Sequence, residues 1–244
     1  MPRIGREDGL GPKRTRQAGP RQLDSVGGSI LINVTSQTPE SADRITHWEA
    51  VYRRNSTDGV SWYQQESTIS LDLIDALAVT RDARVVDVGG GASVLVDALL
   101  NRGFTDVTVV DISKAALQAS RDRVGSHSPV TWVAADLLTW RPSRQYDLWH
   151  DRAVFHFLSG AEIDIYKSLV RQSVATGGSV VMATFALDGP EWCSGLPVTR
   201  YDAAQLEAIL GPDFALVEER REVHQTPNGV DQPFTWIAAR RQEH

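Results

Sequence analysis

The chain has 244 residues and an ordinary globular composition, with 41% hydrophobic and 23% charged residues. The formal net charge of -6 argues against a nucleic-acid-binding surface, and no apolar run approaches the roughly 18 residues that a membrane-spanning helix needs. The single cysteine, Cys193, excludes an intramolecular disulfide, and with six scattered histidines it gives no zinc-binding spacing. We therefore expect a cytoplasmic protein with no metal ion, no nucleic acid and no membrane partner; its oligomeric state is not predicted.

The first 40 residues differ from the rest of the chain. Their basic residues stand among glycines and prolines, without apolar periodicity. Such a segment buries too little apolar surface to offset the entropy that is lost on ordering. We predict a disordered extension over residues 1–40 and a folded domain over residues 41–244.

The folded part begins with a helical pattern. Ile45, Trp48 and Tyr52 recur at helical spacing over residues 41–54, with Ser41 in the N-cap position. Strand-length and helix-length blocks then alternate, separated by glycine, aspartate and serine. Further helices are predicted over residues 67–79, 92–102, 113–124, 161–175 and 202–210, and strands over residues 84–88, 107–110, 130–134, 146–150, 179–185, 214–223 and 233–240.

This alternation predicts an α/β fold, because strands that are joined through helices form right-handed crossover units. The expected architecture is a doubly wound, mainly parallel sheet with helices on both faces. The short apolar strands, such as residues 84–88, suit positions that are buried on both faces of such a sheet.

A run of three glycines, Gly89, Gly90 and Gly91, directly follows the first of these parallel strands and opens a helix. In doubly wound sheets this turn lets the backbone approach a nucleotide, and an acid about 20 residues later binds its ribose. Asp111, which lies 22 residues after Gly89 at the end of the next strand, suits that role. A dinucleotide-binding turn would have a third glycine where this chain has Val94, so an NAD(P)-dependent oxidoreductase is disfavoured.

Residues 87–93, Asp-Val-Gly-Gly-Gly-Ala-Ser, resemble motif I of class I S-adenosylmethionine-dependent methyltransferases. The resemblance implies S-adenosylmethionine as cofactor and a seven-stranded sheet that closes with a C-terminal antiparallel strand pair. It also implies that Asp87 lies near the methionine amino group, that Asp111 binds the ribose and that Asp136 accepts from the adenine amino group. Ile112 and Leu137, which follow two of these acids, are expected beside the same ligand, and His150, at the end of the fourth strand, beside the transferred methyl.

Residues 47–52 and 61–64 are similar to a segment of small methyltransferases that act on thiopurines, thiocyanate and tellurite, and of some lysine methyltransferases. In those families the segment covers the cofactor, which makes Trp62, Tyr63 and Gln64 candidate residues of a lid. Trp48 and Tyr52 stand four residues apart, so they are equally well explained as the buried face of a helix.

Residues after the fourth and fifth strands are expected to face the methyl acceptor. We name His150 as the candidate base, because its usual pKa is near neutral pH, and Arg152 as a candidate anion-binding group. Asp151 is either part of this catalytic group or a helix cap. The other candidate acceptor residues are Gln64, Cys193, Arg200, Tyr201 and His224.

The methyl acceptor is expected to be a small molecule, with a thiol or another soft nucleophile as the first choice. A protein lysine methyltransferase is the alternative within the same enzyme class. The motifs identify a cofactor and leave the acceptor open.

Overall fold

The computed structural model describes residues 23–26, 29–33, 39–125 and 128–243. Its central feature is a nine-stranded sheet with the strand order β1-β2-β5-β4-β3-β6-β7-β11-β10. A separate two-stranded hairpin is formed by β8 and β9. The strands are β1 (Leu23–Val26), β2 (Ser29–Asn33), β3 (Arg84–Val88), β4 (Asp106–Asp111), β5 (Val130–Ala134), β6 (Tyr146–Arg152), β7 (Val174–Phe185), β8 (Trp192–Cys193), β9 (Leu196–Pro197), β10 (Phe214–Gln225) and β11 (Asp231–Arg241).

The seven strands from β5 to β10 in this order confirm the predicted fold class. β3 pairs in parallel with both β4 and β6, so the strand order reverses beside β3. β11 pairs antiparallel with β7 and with β10, which gives the predicted closing pair. In such sheets ligands bind outside the carboxyl ends of the strands at the point of reversal. The end of β3, with its three glycines, lies at that point.

Six α-helices and one short 3-10 helix connect these strands within the described ranges. Ser113 caps α4 as its hydroxyl accepts from the Ala116 amide, and Asp202 caps α6 by accepting from Gln205. α1 begins two residues before the predicted N-cap, Ser41. The helices are α1 (Pro39–Arg54), α2 (Thr68–Ala76), α3 (Leu95–Asn101), α4 (Lys114–Val124), α5 (Ala161–Ser173) and α6 (Ala203–Leu210), and the 3-10 turn is Phe155–Phe157.

The core lies on both faces of the sheet because successive strand residues point to opposite sides. In β3, Val85 packs into one apolar cluster with Trp132 and Leu148, whereas Val86 packs into the other with Trp149. All of these side chains are buried. This burial on both faces explains why three of the five residues of β3 are valine.

The amino-terminal part differs from the expectation of a fully disordered extension. β1 and β2 fall within residues 1–40: β2 pairs in parallel with β5, and β1 pairs antiparallel with β2. The two strands have only four and five residues, which is too short for a hydrophobic pattern to predict a hairpin at the edge of the sheet. The rest of the predicted extension, residues 1–22, 27–28 and 34–38, lies outside the described residues, and the domain boundary at residue 41 stays a prediction.

No helix in the described ranges is long and apolar enough to cross a membrane.

Candidate active site

The glycine run forms a tight turn at the carboxyl end of β3. Gly89 has φ +67°, and a Cβ there would lie 2.0 Å from a methyl group of Val154. Gly91 has φ +22°, and a Cβ would lie 2.5 Å from a carboxylate oxygen of Asp111. Side chains at either position would require both strained backbone and displaced neighbours. The turn therefore requires glycine in order to bring the β3 and β4 strand ends together.

Asp111 ends β4 and is almost completely buried. Its Oδ1 accepts the Ser113 amide at 2.7 Å. Burial, which disfavours the charged form, raises the pKa of this carboxyl to about 7. The carboxylate lines a cavity, where further hydrogen-bond donors would stabilise its charge.

Asp87 in β3 is buried and holds an unused acceptor. Nδ1 of His150 donates to its Oδ1 at 2.7 Å, whereas Oδ2 is buried and has no hydrogen-bond partner. A Cβ on Gly90 would lie 2.3 Å from that oxygen. An orphaned buried carboxylate oxygen is costly, and the amino group of a ligand's methionine would satisfy it.

Asp136 follows β5 and is held by an arginine from the amino-terminal helix. Arg44 donates to Oδ2 from Nε at 3.1 Å and from Nη2 at 2.7 Å, while the Leu138 amide donates to Oδ1 at 3.0 Å. Nη1 of Arg44 reaches Glu162 in α5 at 3.1 Å. The hydrogen bonds of Arg44 thus hold α1 over the ends of the parallel strands.

Two adjoining cavities open above these strand ends. The first has a volume of about 930 Å³, including its mouth, and is bordered by Asp111, Ile112, Asp136 and Leu137. It continues into a region of aromatic side chains: Trp48, Tyr52, Trp62, Phe157, Phe185 and Phe234. The second, about 560 Å³, is lined by residues that include Tyr63, Gln64, Asp87, Gly90 and His150. Tyr52, Trp62, Val88, Gly89 and Arg152 border both cavities.

α1 covers the first cavity with one face. Arg44, Trp48 and Tyr52 recur every four residues and all line it. Trp48 and Tyr52 each pack against Trp62, with centroid distances of 5.8 and 5.9 Å. The packed face of the helix is therefore also a wall of the cavity, as predicted for a buried helix face, and a role of this segment in covering a cofactor stays a prediction.

These features of the chain suit a bound S-adenosyl group. The first cavity has acidic acceptors at the ends of β4 and β5, the second has the unpaired Asp87 oxygen, and the glycine turn lies between them.

Residues 85–178 match the family model described as a methyltransferase domain. The match covers β3 to the start of β7, which are the strands that carry the glycine turn and the three acids.

The chain is similar to methyltransferases whose names give different acceptors. It is 22% identical over 143 residues to malonyl-[acyl-carrier protein] O-methyltransferase 2 of Ilyobacter polytropus, a match over 55% of this chain and 54% of that protein. It is 30% identical to the mouse EEF1A lysine methyltransferase 2, over 40% of this chain and 47% of that protein. The chain spans about half the length of these curated relatives.

A solved structure supports the same fold over a larger part of the chain. The 1,6-didemethyltoxoflavin-N1-methyltransferase of Burkholderia thailandensis, with its substrate and S-adenosylhomocysteine bound, superposes with a TM-score of 0.65 at 20% identity. The alignment covers 91% of this chain and 96% of that one.

His150 occupies a different environment from the one expected of a base. It is buried, with Nδ1 on Asp87 and Nε2 2.9 Å from Oγ of Ser70. Both ring nitrogens are therefore engaged inside the domain. His150 borders the second cavity but holds Asp87 in place, so we now interpret it as a positioning residue.

Asp151 does not line either cavity. Its Oδ2 accepts from the Tyr166 hydroxyl at 2.7 Å and its Oδ1 from the Val154 amide at 3.0 Å. Burial raises the pKa of this carboxyl to about 6. The catalytic role predicted for Asp151 is replaced by a structural one: it caps the turn after β6 and ties that turn to α5.

The other candidate acceptor residues fall into two groups. Cys193 and Gln64 line the first and the second cavity respectively, and burial raises the pKa of the Cys193 thiol to about 11. Arg200, Tyr201 and His224 line neither cavity. Arg200 pairs with Glu191 at 2.8 Å, Tyr201 packs on Phe155 in the core, and Nε2 of His224 donates to the Ser61 carbonyl at 2.9 Å.

Several cavity residues were not predicted from sequence. Arg44 is one, although its four-residue spacing from Trp48 on the same helix was visible. Phe157, Phe185 and Phe234 come from separate elements, and Phe185 and Phe234 have the same pattern as any core strand residue. Nothing in the sequence distinguishes such aromatics from ordinary core.

Among the described residues, no group of three or more histidine, cysteine, aspartate or glutamate side chains is arranged to hold a metal ion.

Proposed function

We propose that this protein transfers a methyl group from S-adenosylmethionine to a small molecule. The observation that carries the proposal is the continuity of one cavity, in which the acidic ends of β4 and β5 lead directly into an aromatic region roofed by α1. Trp62, Tyr63 and Gln64, beside α1, complete the roof.

In this proposal the chain's own residues divide the work of cofactor binding. Asp111 accepts from the ribose hydroxyls, Oδ2 of Asp87 accepts from the methionine amino group, and Asp136 lies beside the adenine. Ile112 and Leu137 provide apolar contacts to the adenine ring. The glycine turn allows the backbone to approach the ligand closely.

The bound cofactor supplies a methyl group that is already activated on a sulfonium. The protein must then hold the nucleophile about 3–3.5 Å from that methyl and keep water out, which is worth about 7–11 kcal/mol of barrier. Trp48, Trp62 and Phe157 form an interlocked aromatic wall suited to this, with Trp48 and Phe157 centroids 5.1 Å apart. Arg44, on Asp136 and Glu162, keeps the wall closed.

The acceptor is proposed to be a thiol or another soft nucleophile, because among the described residues no histidine that lines the two cavities has a free ring nitrogen. His150, the only histidine that lines either cavity in the described ranges, has both nitrogens engaged. His156, behind the aromatic wall, is neutral, since burial lowers its pKa to about 3. A thiol needs little assistance, because its usual pKa of about 8.5 leaves a fraction ionised at neutral pH.

The alternative acceptor is a protein lysine. It is supported by the similarity to the EEF1A lysine methyltransferase and by the aromatic lining, which suits a cation. Against it stands Arg152, whose guanidinium borders the same cavity and would repel an ammonium. An NAD(P)-dependent oxidoreductase is disfavoured by Val94 in the third glycine position.

The test is transfer of a labelled methyl group from S-adenosylmethionine. Acceptors are benzenethiol, hydrosulfide, an aliphatic thiol, the matching amines and lysine-containing peptides, with Asp111→Ala as the inactive control. We expect labelled thioethers from wild type and at least about 100-fold less from the variant. Label found only on peptides would favour the lysine alternative, and no label on any acceptor would contradict the proposal.

A further inference from the structure

Arg152, at the end of β6, borders both cavities and has one unused edge. Its Nη1 donates to the Trp62 carbonyl at 3.0 Å. Nε and Nη2 are buried and have no hydrogen-bond partner. These two nitrogens lie on the same side of the planar guanidinium, where their N–H groups form a fork that fits two oxygens of one carboxylate.

Other arginines of the chain use this same edge to hold a carboxylate. Nε and Nη2 of Arg84 donate to the two oxygens of Asp147 at 2.9 and 2.6 Å. In Arg44 the same pair donates to Oδ2 of Asp136 at 3.1 and 2.7 Å. Arg152 has the same fork, in a more buried setting, without an acid on it.

The acid that interacts electrostatically with Arg152 has other hydrogen-bond partners. Glu222 attracts the Arg152 charge, but its Oε1 accepts from Gln64 at 3.1 Å and its Oε2 from the Trp236 indole at 2.8 Å. A buried guanidinium without a bonded counter-charge is costly to the fold. Such a cost is offset when a bound anion takes the free edge.

The surroundings indicate what kind of molecule carries that anion. The Arg152 guanidinium lies over the Phe234 ring at 4.6 Å, and Phe185 and Cys193 line the cavity beside it. Phe185, Cys193 and Phe234 border only the first cavity, away from Asp87 and Gly90. This end suits an apolar or aromatic body.

We propose that the methyl acceptor is an apolar or aromatic molecule with a carboxylate, and that the Nε–Nη2 edge of Arg152 binds this carboxylate. This inference rests on the proposed function, since it specifies the acceptor of the same site. The carboxylate is an anchor: it orients the molecule and leaves the thiol or other nucleophile to react.

The experiment is calorimetric binding to the protein loaded with S-adenosylhomocysteine. The probes are matched pairs of acid and amide: benzoate and benzamide, phenylacetate and phenylacetamide, indole-3-acetate and indole-3-acetamide. In wild type at least one acid should bind about tenfold or more tightly than its amide, as expected for a charge-assisted bidentate bond. Arg152→Gln should remove this preference, and Arg152→Lys should restore only part of it. Arg200→Gln, outside both cavities, should leave the preference intact.

Another carboxylate, that of the cofactor's methionine tail, has the same chemistry and is tested separately. S-adenosylhomocysteine and 5′-methylthioadenosine, which lacks the tail, are titrated into wild type and Arg152→Gln. Affinity for S-adenosylhomocysteine within about twofold of wild type supports the acceptor assignment. A tenfold loss for S-adenosylhomocysteine with no loss for 5′-methylthioadenosine assigns Arg152 to the cofactor and overturns it.

The inference is also overturned if wild type prefers no acid over its amide. This comparison needs no variant, so it decides the matter even where Arg152→Gln and Arg152→Lys fail to fold. Because it measures binding, it is separate from the proposed function: carboxylate preference without methyl transfer would contradict the function and support the Arg152 site. Methyl transfer to thiols without a preference for carboxylates would support the proposed function and contradict the Arg152 site.

Discussion

The two ends of the candidate site are built in different ways. At the cofactor end, Asp87, Asp111 and Asp136 stand at or just after the ends of adjacent parallel strands, so the sheet itself sets their spacing. At the acceptor end, the wall comes from α1, the 3-10 turn, β7 and β11, which are far apart in sequence. The first end is fixed by local backbone geometry, and the second by tertiary packing.

This difference explains what could be predicted from the sequence. A glycine turn and acids at strand ends have a fixed spacing, so the turn at Gly89 and the carboxylate of Asp111 beside it could be predicted together with the fold. That these residues bind the cofactor stays a prediction. The sequence places His150 at a strand end but does not reveal Ser70, 80 residues away, on its other nitrogen, so the hydrogen bonds that argue for a positioning role could not be predicted. Arg200 and Tyr201 lie after β7, as predicted from the sequence. However, Arg200 pairs with the carboxylate of Glu191 at the surface, and Tyr201 packs in the core.

The strongest test of the cofactor end is Asp111→Ala. We expect binding of S-adenosylhomocysteine to weaken by at least about 100-fold, because hydrogen bonds to a charged acceptor contribute about 1.5–3 kcal/mol each. Isothermal calorimetry measures the change. Asp106→Ala is the matched control, since Asp106 begins the same strand and pairs with Arg144 on the opposite edge. Equal affinities for the two variants would remove Asp111 from the site.

His150→Ala tests whether His150 has a structural role, that of holding Asp87 in place. The change leaves the buried Asp87 carboxylate without its donor, so the free energy of unfolding should fall by about 3 kcal/mol. Chemical denaturation measures it, and His150→Asn, which keeps an N–H donor near Asp87, should recover part of the loss. Unchanged stability together with lost turnover would return His150 to the role of a base.

The pH dependence of cofactor binding sharpens the account of Asp111. Its pKa of about 7 in the free protein means that the carboxyl is mostly protonated at pH 6. Ribose hydroxyls favour the ionised form, so binding below pH 7 must release a proton. Affinity for S-adenosylhomocysteine should therefore be about tenfold lower at pH 6 than at pH 8. The same slope in Asp111→Asn would assign the effect to another group.

The smallest effect is expected from Arg200→Gln, at the acceptor end but outside its cavity. Its partly exposed ion pair with Glu191 contributes less than about 1 kcal/mol, and KM for a thiol acceptor that carries a carboxylate should change by less than about twofold. Steady-state kinetics beside Arg152→Gln provides the comparison. An increase in KM as large as that of Arg152→Gln would place Arg200 in the acceptor site after all.

The most direct test of the central claim is a calorimetric titration of the unmodified chain with S-adenosylhomocysteine and, separately, with NAD. The account predicts one molecule of S-adenosylhomocysteine per chain and no measurable binding of NAD. Binding of NAD without binding of S-adenosylhomocysteine would contradict it.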